Sequence, residues 1–223
     1  MKDAPIATWV GLFVALGGVA LLASPAHRLL GDPARLRTQV LDQLVLWLLF
    51  AAVLAIVLVW ERAPLASIGW KPFAWRSLAL AALFAAVVMW IATPIGSFVA
   101  SKLFGLPLFE AGIADFSQRP LWLKVVAVVT AGVVEETLFR GYALERIASI
   151  TGSEWLAAAI TLAIFTAVHW PVWGTGPIVV FLFSGGFLTA AYVWQHDLVA
   201  NVVAHVVVDA VGLIIVPALA VRT

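Results

Sequence analysis

The sequence predicts an all-α fold: a polytopic transmembrane helical bundle of about seven spans in one membrane domain over residues 1–223. Composition, the length of the apolar runs and the placement of Trp predict it. Of 223 residues, 64% are hydrophobic and 11% charged, and mean hydropathy is +1.07. A soluble domain is about half apolar and about a quarter charged, so too little polar surface remains to cover a soluble core. The lipid bilayer is the partner this composition requires. A formal net charge of +1 gives no basic footprint for phosphate backbones, so nucleic acid is not a partner. The chain has no Cys, which excludes disulfides, thiolate metal sites and Cys nucleophiles.

A spanning helix takes about 20 mostly apolar residues. Such segments run over 5–24, 40–60, 76–100, 121–143, 154–170, 177–195 and 198–219. The first resembles a signal peptide, but its basic region is only Lys2 beside Asp3 and no A-x-A site follows Leu22, so it is counted as a span. The third holds Pro94 and Gly96 and the fifth is short, which puts the count between about six and eight. Trp9, Trp60, Trp70, Trp75, Trp122, Trp155, Trp170, Trp173 and Trp194 fall at or near the proposed ends, where aromatic belts sit. Arg28, Arg35 and Arg37 lie on one side, and Arg62, Lys71 and Arg76 on the other. With so little asymmetry the positive-inside rule leaves orientation open. The loops at 25–39 and 101–120 are long; the second mixes apolar and charged side chains and reads as an interfacial connector in preference to a gating loop. Gly185-Gly186 predicts close helix packing.

Charges inside a span cost roughly 2.5–3.5 kcal/mol each on insertion scales, and they mark function more often than architecture. The last four segments carry Glu135, Glu136, Arg140, His169, His205 and Asp209, with Asn201 one turn before His205. Glu135 lies about 21 Å along a helix that starts at Leu121, at 1.5 Å per residue, too deep for a short carboxylate to snorkel out. Glu136 and Arg140 are four apart and share a face, where they can pair; Glu135 points about 100° away. Phe165 and His169 are four apart, and Asn201, His205 and Asp209 form one polar stripe. Three helices each turn a polar edge inward. Bland alternatives are an anchoring ion pair for Glu136–Arg140, an interfacial His169, a helix-packing donor in Asn201 and a helix lock in His205–Asp209. Together they would spend well over about 10 kcal/mol of insertion energy on packing that Gly, Ala and Ser achieve without it.

Here the sequence resembles the CPBP intramembrane proteases, a family that includes CAAX-processing prenyl endopeptidases of the Rce1 type and bacterial (Abi) proteins linked to bacteriocin processing or immunity. Two glutamates, three residues and an arginine are matched by Glu135-Glu136-Thr137-Leu138-Phe139-Arg140, and Gly141-Tyr142 continues the likeness. A Phe four before a His is matched by Phe165 and His169, and a His four before Asn or Asp by His205 and Asp209. The matched region covers 121–215; the first 120 residues carry no motif.

The resemblance implies a hydrolase whose catalytic residues are Glu135, Glu136, Arg140, His169, His205 and Asp209. Glu135 and His169 would hold and deprotonate a water, while His205 and Asp209 would stabilise the oxyanion. Asp209 donates a hydrogen bond only when protonated, so it is a neutral acid, an orienting partner of His205 or a metal ligand. Glu135, His169, His205 and Asp209 are also a plausible nitrogen-and-oxygen set for a divalent metal such as zinc. No H-E-x-x-H helix is present, and the metal-free glutamate mechanism is preferred over a metalloprotease. The expected substrate is a membrane-associated protein or peptide, and the expected location a bacterial cytoplasmic membrane. The alternatives are a non-catalytic immunity-type scaffold and, with no inverted repeat in its favour, a proton-coupled transporter.

Overall fold

The computed structural model describes residues 5–24 and 29–220. Lys2, Asp3 and Arg28, weighed above for targeting and orientation, lie outside the described residues. Helix α1 spans Ile6–Leu22, α2 Leu36–Trp60 and α3 Trp75–Leu103. The short α4 is Glu110–Ser117. Helix α5 runs continuously over 121–151 as Leu121–Thr130, Ala131–Leu144 and Glu145–Thr151. Then follow α6 (Glu154–Trp173), α7 (Thr175–Gln195) and α8 (Leu198–Ala220). Helices α2, α3, α6, α7 and α8 are long and apolar enough to cross a membrane, and α1 is a shorter apolar helix. Helix α5 holds Lys124, Glu135, Glu136 and Arg140 within its length, which is why it does not read as a plain apolar span. The chain is an integral membrane protein built as a helical bundle.

Every segment expected to be helical is helical, and the differences lie at the ends. Helix α2 starts at Leu36 and takes in part of the expected 25–39 loop. Helix α3 passes unbroken through Pro94. The turn before it, Val88–Ala92, already bonds in the wide i→i+5 pattern, so the hydrogen bond that Pro94 cannot donate disrupts little. Helix α5 ends where Gly152 turns left-handed at φ 75°. Gly174 at φ 83° alone separates α6 from α7. At the starts of α6 and α8, Ser153 and Asp197 accept hydrogen bonds from the amides of Leu156 and Ala200.

Helix α5 sits at the centre. Every residue from Glu136 to Leu144 is buried. One side packs on α1 and α2 through Leu12, Ala15, Val53, Val57, Leu138 and Phe139; the other faces α6 and α8. A second core, including Phe84, Val88, Leu188, Ala191, Ala200 and Ala204, joins α3, α7 and α8. Small residues set the approach distances: a Cβ on Gly132 would collide with Val206 of α8 and one on Gly96 would lie 2.8 Å from the Val180 backbone of α7. Gly185 and Gly186 meet Leu162 of α6, and Gly185 also meets Arg140 of α5, which supplies the partners for that expected close packing. The connector at 101–120 folds back on the bundle, because α4 packs against α6 and against the 210–215 stretch of α8. Its Phe109 stacks edge-on with Trp173 at 5.8 Å and Phe181 at 5.6 Å.

Candidate active site

The site is assembled where α5 meets α6, α7 and α8, within the wide i→i+5-bonded stretch Ala131–Leu144. Glu136 is at its base, fully buried. Its Oε1 accepts from Arg140 Nη1 at 3.0 Å and from His205 Nδ1 at 2.9 Å. Its Oε2 accepts from Asn201 Nδ2 at 3.2 Å. Removing a carboxylate and a guanidinium from water costs several kcal/mol per ion, and only a complete set of partners offsets it. Arg140 has that set. Nε donates to Thr189 Oγ1 at 3.2 Å and Nη2 to the Gly185 carbonyl at 3.3 Å. The guanidinium also lies over the Phe165 ring at 4.1 Å, a cation–π contact in a water-poor setting.

Glu135 turns the other way. Its Oε2 faces His169 Nε2 at 3.6 Å, and each side chain keeps 16% exposure. His169 Nδ1 is 2.6 Å from the Phe165 carbonyl. A carbonyl can only accept, so the proton sits on Nδ1, and in the neutral ring Nε2 presents a lone pair towards Glu135. The ring is bracketed by Phe165 at 4.4 Å and by Phe181 of α7 at 5.0 Å. On α8, His205 Nε2 faces Asp209 Oδ2 at 3.5 Å, and Asp209 is 24% exposed.

The six expected residues therefore come together, divided by depth. Glu136 and Arg140 form the buried base, with the Nδ1 edge of His205. Glu135, His169, Asp209 and the Nε2 edge of His205 line the more open side. The expected Glu136–Arg140 pair and the Asn201–His205–Asp209 stripe are both present. A fourth helix also takes part: α7 supplies Thr189 and the Gly185 and Leu188 carbonyls. Sequence reasoning missed these. Gly185 and Thr189 stand four apart and are bonded to each other at 2.7 Å, but a carbonyl acceptor leaves no mark in a sequence.

Residues 116–211 match the family model described as type II CAAX prenyl endopeptidase Rce1-like. This region resembles that family. It begins in α4 and ends in α8, and every residue of the site falls inside it. No curated protein and no solved structure matches the chain. Among the described residues, no three His, Asp or Glu side chains converge as a group that could hold a metal ion. Within the Rce1-like region the donors stand as two pairs, Glu135–His169 and His205–Asp209, and His205 Nδ1 is already engaged by Glu136. Two donors fall short of the three protein ligands of a catalytic zinc site, so the residues as arranged do not fit such an ion.

Gly141-Tyr142 of the Rce1-like region has a different use. A Cβ on Gly141 would lie 2.8 Å from the Ile68 carbonyl, so Gly141 admits the turn at Leu65–Ile68. Tyr142 points away from the site and donates to Glu61 Oε1 at 2.9 Å. Glu61 is also held by Thr8 at 3.1 Å and by Arg146 Nε and Nη2 at 3.0 and 2.7 Å, and Arg146 bonds the Ser67 carbonyl and hydroxyl at 3.1 Å each. Burial pushes the Glu61 carboxyl up, but the bonds from Arg146 and Tyr142, the Arg146 charge and the Thr8 bond together hold it below its ordinary value. This second polar cluster ties α1, the end of α2 and α5 together away from the candidate active site.

Proposed function

We propose that this protein is an intramembrane endopeptidase that hydrolyses a peptide bond of a membrane-associated protein or peptide, with Glu135 as the base that activates water. The observation that carries the reading is the opposed, partly open pair Glu135 Oε2 and His169 Nε2. Two acceptors this close call for a donor that both can share, lying beside the pair on its open side. Water has two O–H groups and can bond both.

In the reaction, Glu135 takes a proton from that water as its oxygen attacks the carbonyl carbon, and the C–O bond forms. His169 accepts the second O–H and aims the oxygen. Charge develops on the former carbonyl oxygen, which needs a donor. His205 can supply one: Nδ1–H is committed to Glu136, so a second proton on the ring places an N–H at Nε2. Asp209 orients that edge when ionised. Collapse of the tetrahedral intermediate breaks the C–N bond, and Glu135 returns its proton to the departing amine, leaving a carboxylic acid, which ionises on release, and an amine. Glu136 and Arg140 touch neither water nor substrate; they are positioning residues.

The test compares new peptide termini in membranes carrying wild type or Glu135→Gln at matched levels. Termini specific to the wild type are expected and would identify the substrate. Identical termini from two folded proteins would overturn the protease reading in favour of a scaffold.

A further inference from the structure

We infer that Asn201 is a positioning residue of the site, which fixes the Glu136 carboxylate and through it the tautomer and orientation of the His205 ring. The inference rests on the reading of His205 as the oxyanion donor.

Glu136 has two oxygens and could rotate about its terminal bond. Oε1 is the one that meets both Arg140 and His205. Oε2 is held by Asn201 Nδ2 at 3.2 Å. The same nitrogen donates to the Leu188 carbonyl of α7 at 2.8 Å. One primary amide thus joins α5, α7 and α8 at a single atom. A helix-packing role would need only the Leu188 bond, which a hydroxyl could make. Holding Leu188 and Glu136 together needs two protons on one nitrogen, and among short uncharged side chains that means Asn. The amide oxygen points the same way: Asn201 Oδ1 is buried with no hydrogen-bond partner, an idle acceptor tolerated so that both protons can be spent.

The consequence falls on His205. With Oε1 fixed, Nδ1 donates to it at 2.9 Å and Nε2 is turned towards Asp209 and the open side of the site. If Asn201 is removed, Oε2 has no donor. The carboxylate can then reorient, and His205 can adopt either tautomer.

The experiment uses the full chain in lipid nanodiscs with 15N-labelled histidine. Two readouts are taken on wild type and Asn201→Leu: the pair of ring 15N resonances of His205, and the rate of release of the termini identified above. The wild type should show Nδ1 protonated, in the neutral ring and in the doubly protonated ring alike, and Asn201→Leu should show a ring whose Nδ1 is no longer held protonated. The cleavage rate at saturating substrate should fall by about 10- to 100-fold, as when a partner that orients a site residue is removed, with KM little changed. If Asn201→Leu fails to fold, Asn201→Ser keeps one donor and serves instead. An unchanged His205 pattern in a folded variant overturns the inference, whatever the activity. A changed pattern with no cleavage by the wild type overturns the protease reading but leaves the positioning role standing.

Discussion

Glu135 and Glu136 are neighbours on one helix, yet they live in opposite environments. Glu136 is fully buried, and both its oxygens are bonded to Arg140, His205 and Asn201. Glu135 keeps 16% exposure and faces a histidine across 3.6 Å, beyond a direct hydrogen bond. A buried carboxylate with both oxygens engaged cannot accept a proton from water without breaking its cluster, whereas one with an open oxygen can. On the proposed reading, chemistry belongs to the less well-held residue and the architecture to its neighbour.

The largest expected effect separates the two roles. Glu135→Gln should lower cleavage by about 10²- to 10⁴-fold, the usual contribution of a general base, with insertion and thermal melting unchanged. A variant that fails to fold would show that Glu135 is structural after all. Arg140→Met should do the reverse. It leaves the Glu136 charge buried without its cation, so a loss of about 3–5 kcal/mol is expected, seen as a lower melting temperature in detergent. A melting curve equal to wild type would break the comparison.

The cluster around Glu61 sharpens it from the far side of α5. Glu61→Gln should lower the melting temperature while leaving the Glu135–His169 edge, and so the cleavage rate of the folded fraction, as in wild type. The folded carboxyl titrates below its ordinary value of 4.5. It therefore adds stability that is present above about pH 4.5 and is lost as the pH falls through the lower folded value. The gap in stability between wild type and Glu61→Gln should narrow on acidification, and a gap independent of pH would sink this account. The smallest effect is expected from Thr189→Val, which removes one hydroxyl partner of Arg140. About 1–3 kcal/mol is expected for a buried donor left unpaired, with the Gly185 bond retained.

How much of this was legible in advance depends on distance along the chain. The bundle was legible because apolar run length is a local property, and so was the alignment of Glu136 with Arg140 and of Asn201, His205 and Asp209, since residues four apart on a helix are neighbours. The same local rule misjudged the helix ends: the expected span 154–170 stops short of the end of α6, which carries on through Pro171 to Trp173. It was also silent about Tyr142, whose motif-like position suggested the site although its hydroxyl serves Glu61.

By itself, then, the sequence determined a membrane-embedded helical chain and the set of polar side chains that face inward from α5, α6 and α8. Tertiary structure alone decided which glutamate meets which histidine, that α7 joins through Thr189 and the Gly185 and Leu188 carbonyls, and that the metal-ligand candidates separate into two pairs. The physical reason is that side-chain spacing sets direction within one helix, whereas pairing across helices depends on how each helix is rotated and how closely small residues such as Gly132 and Gly185 let them approach.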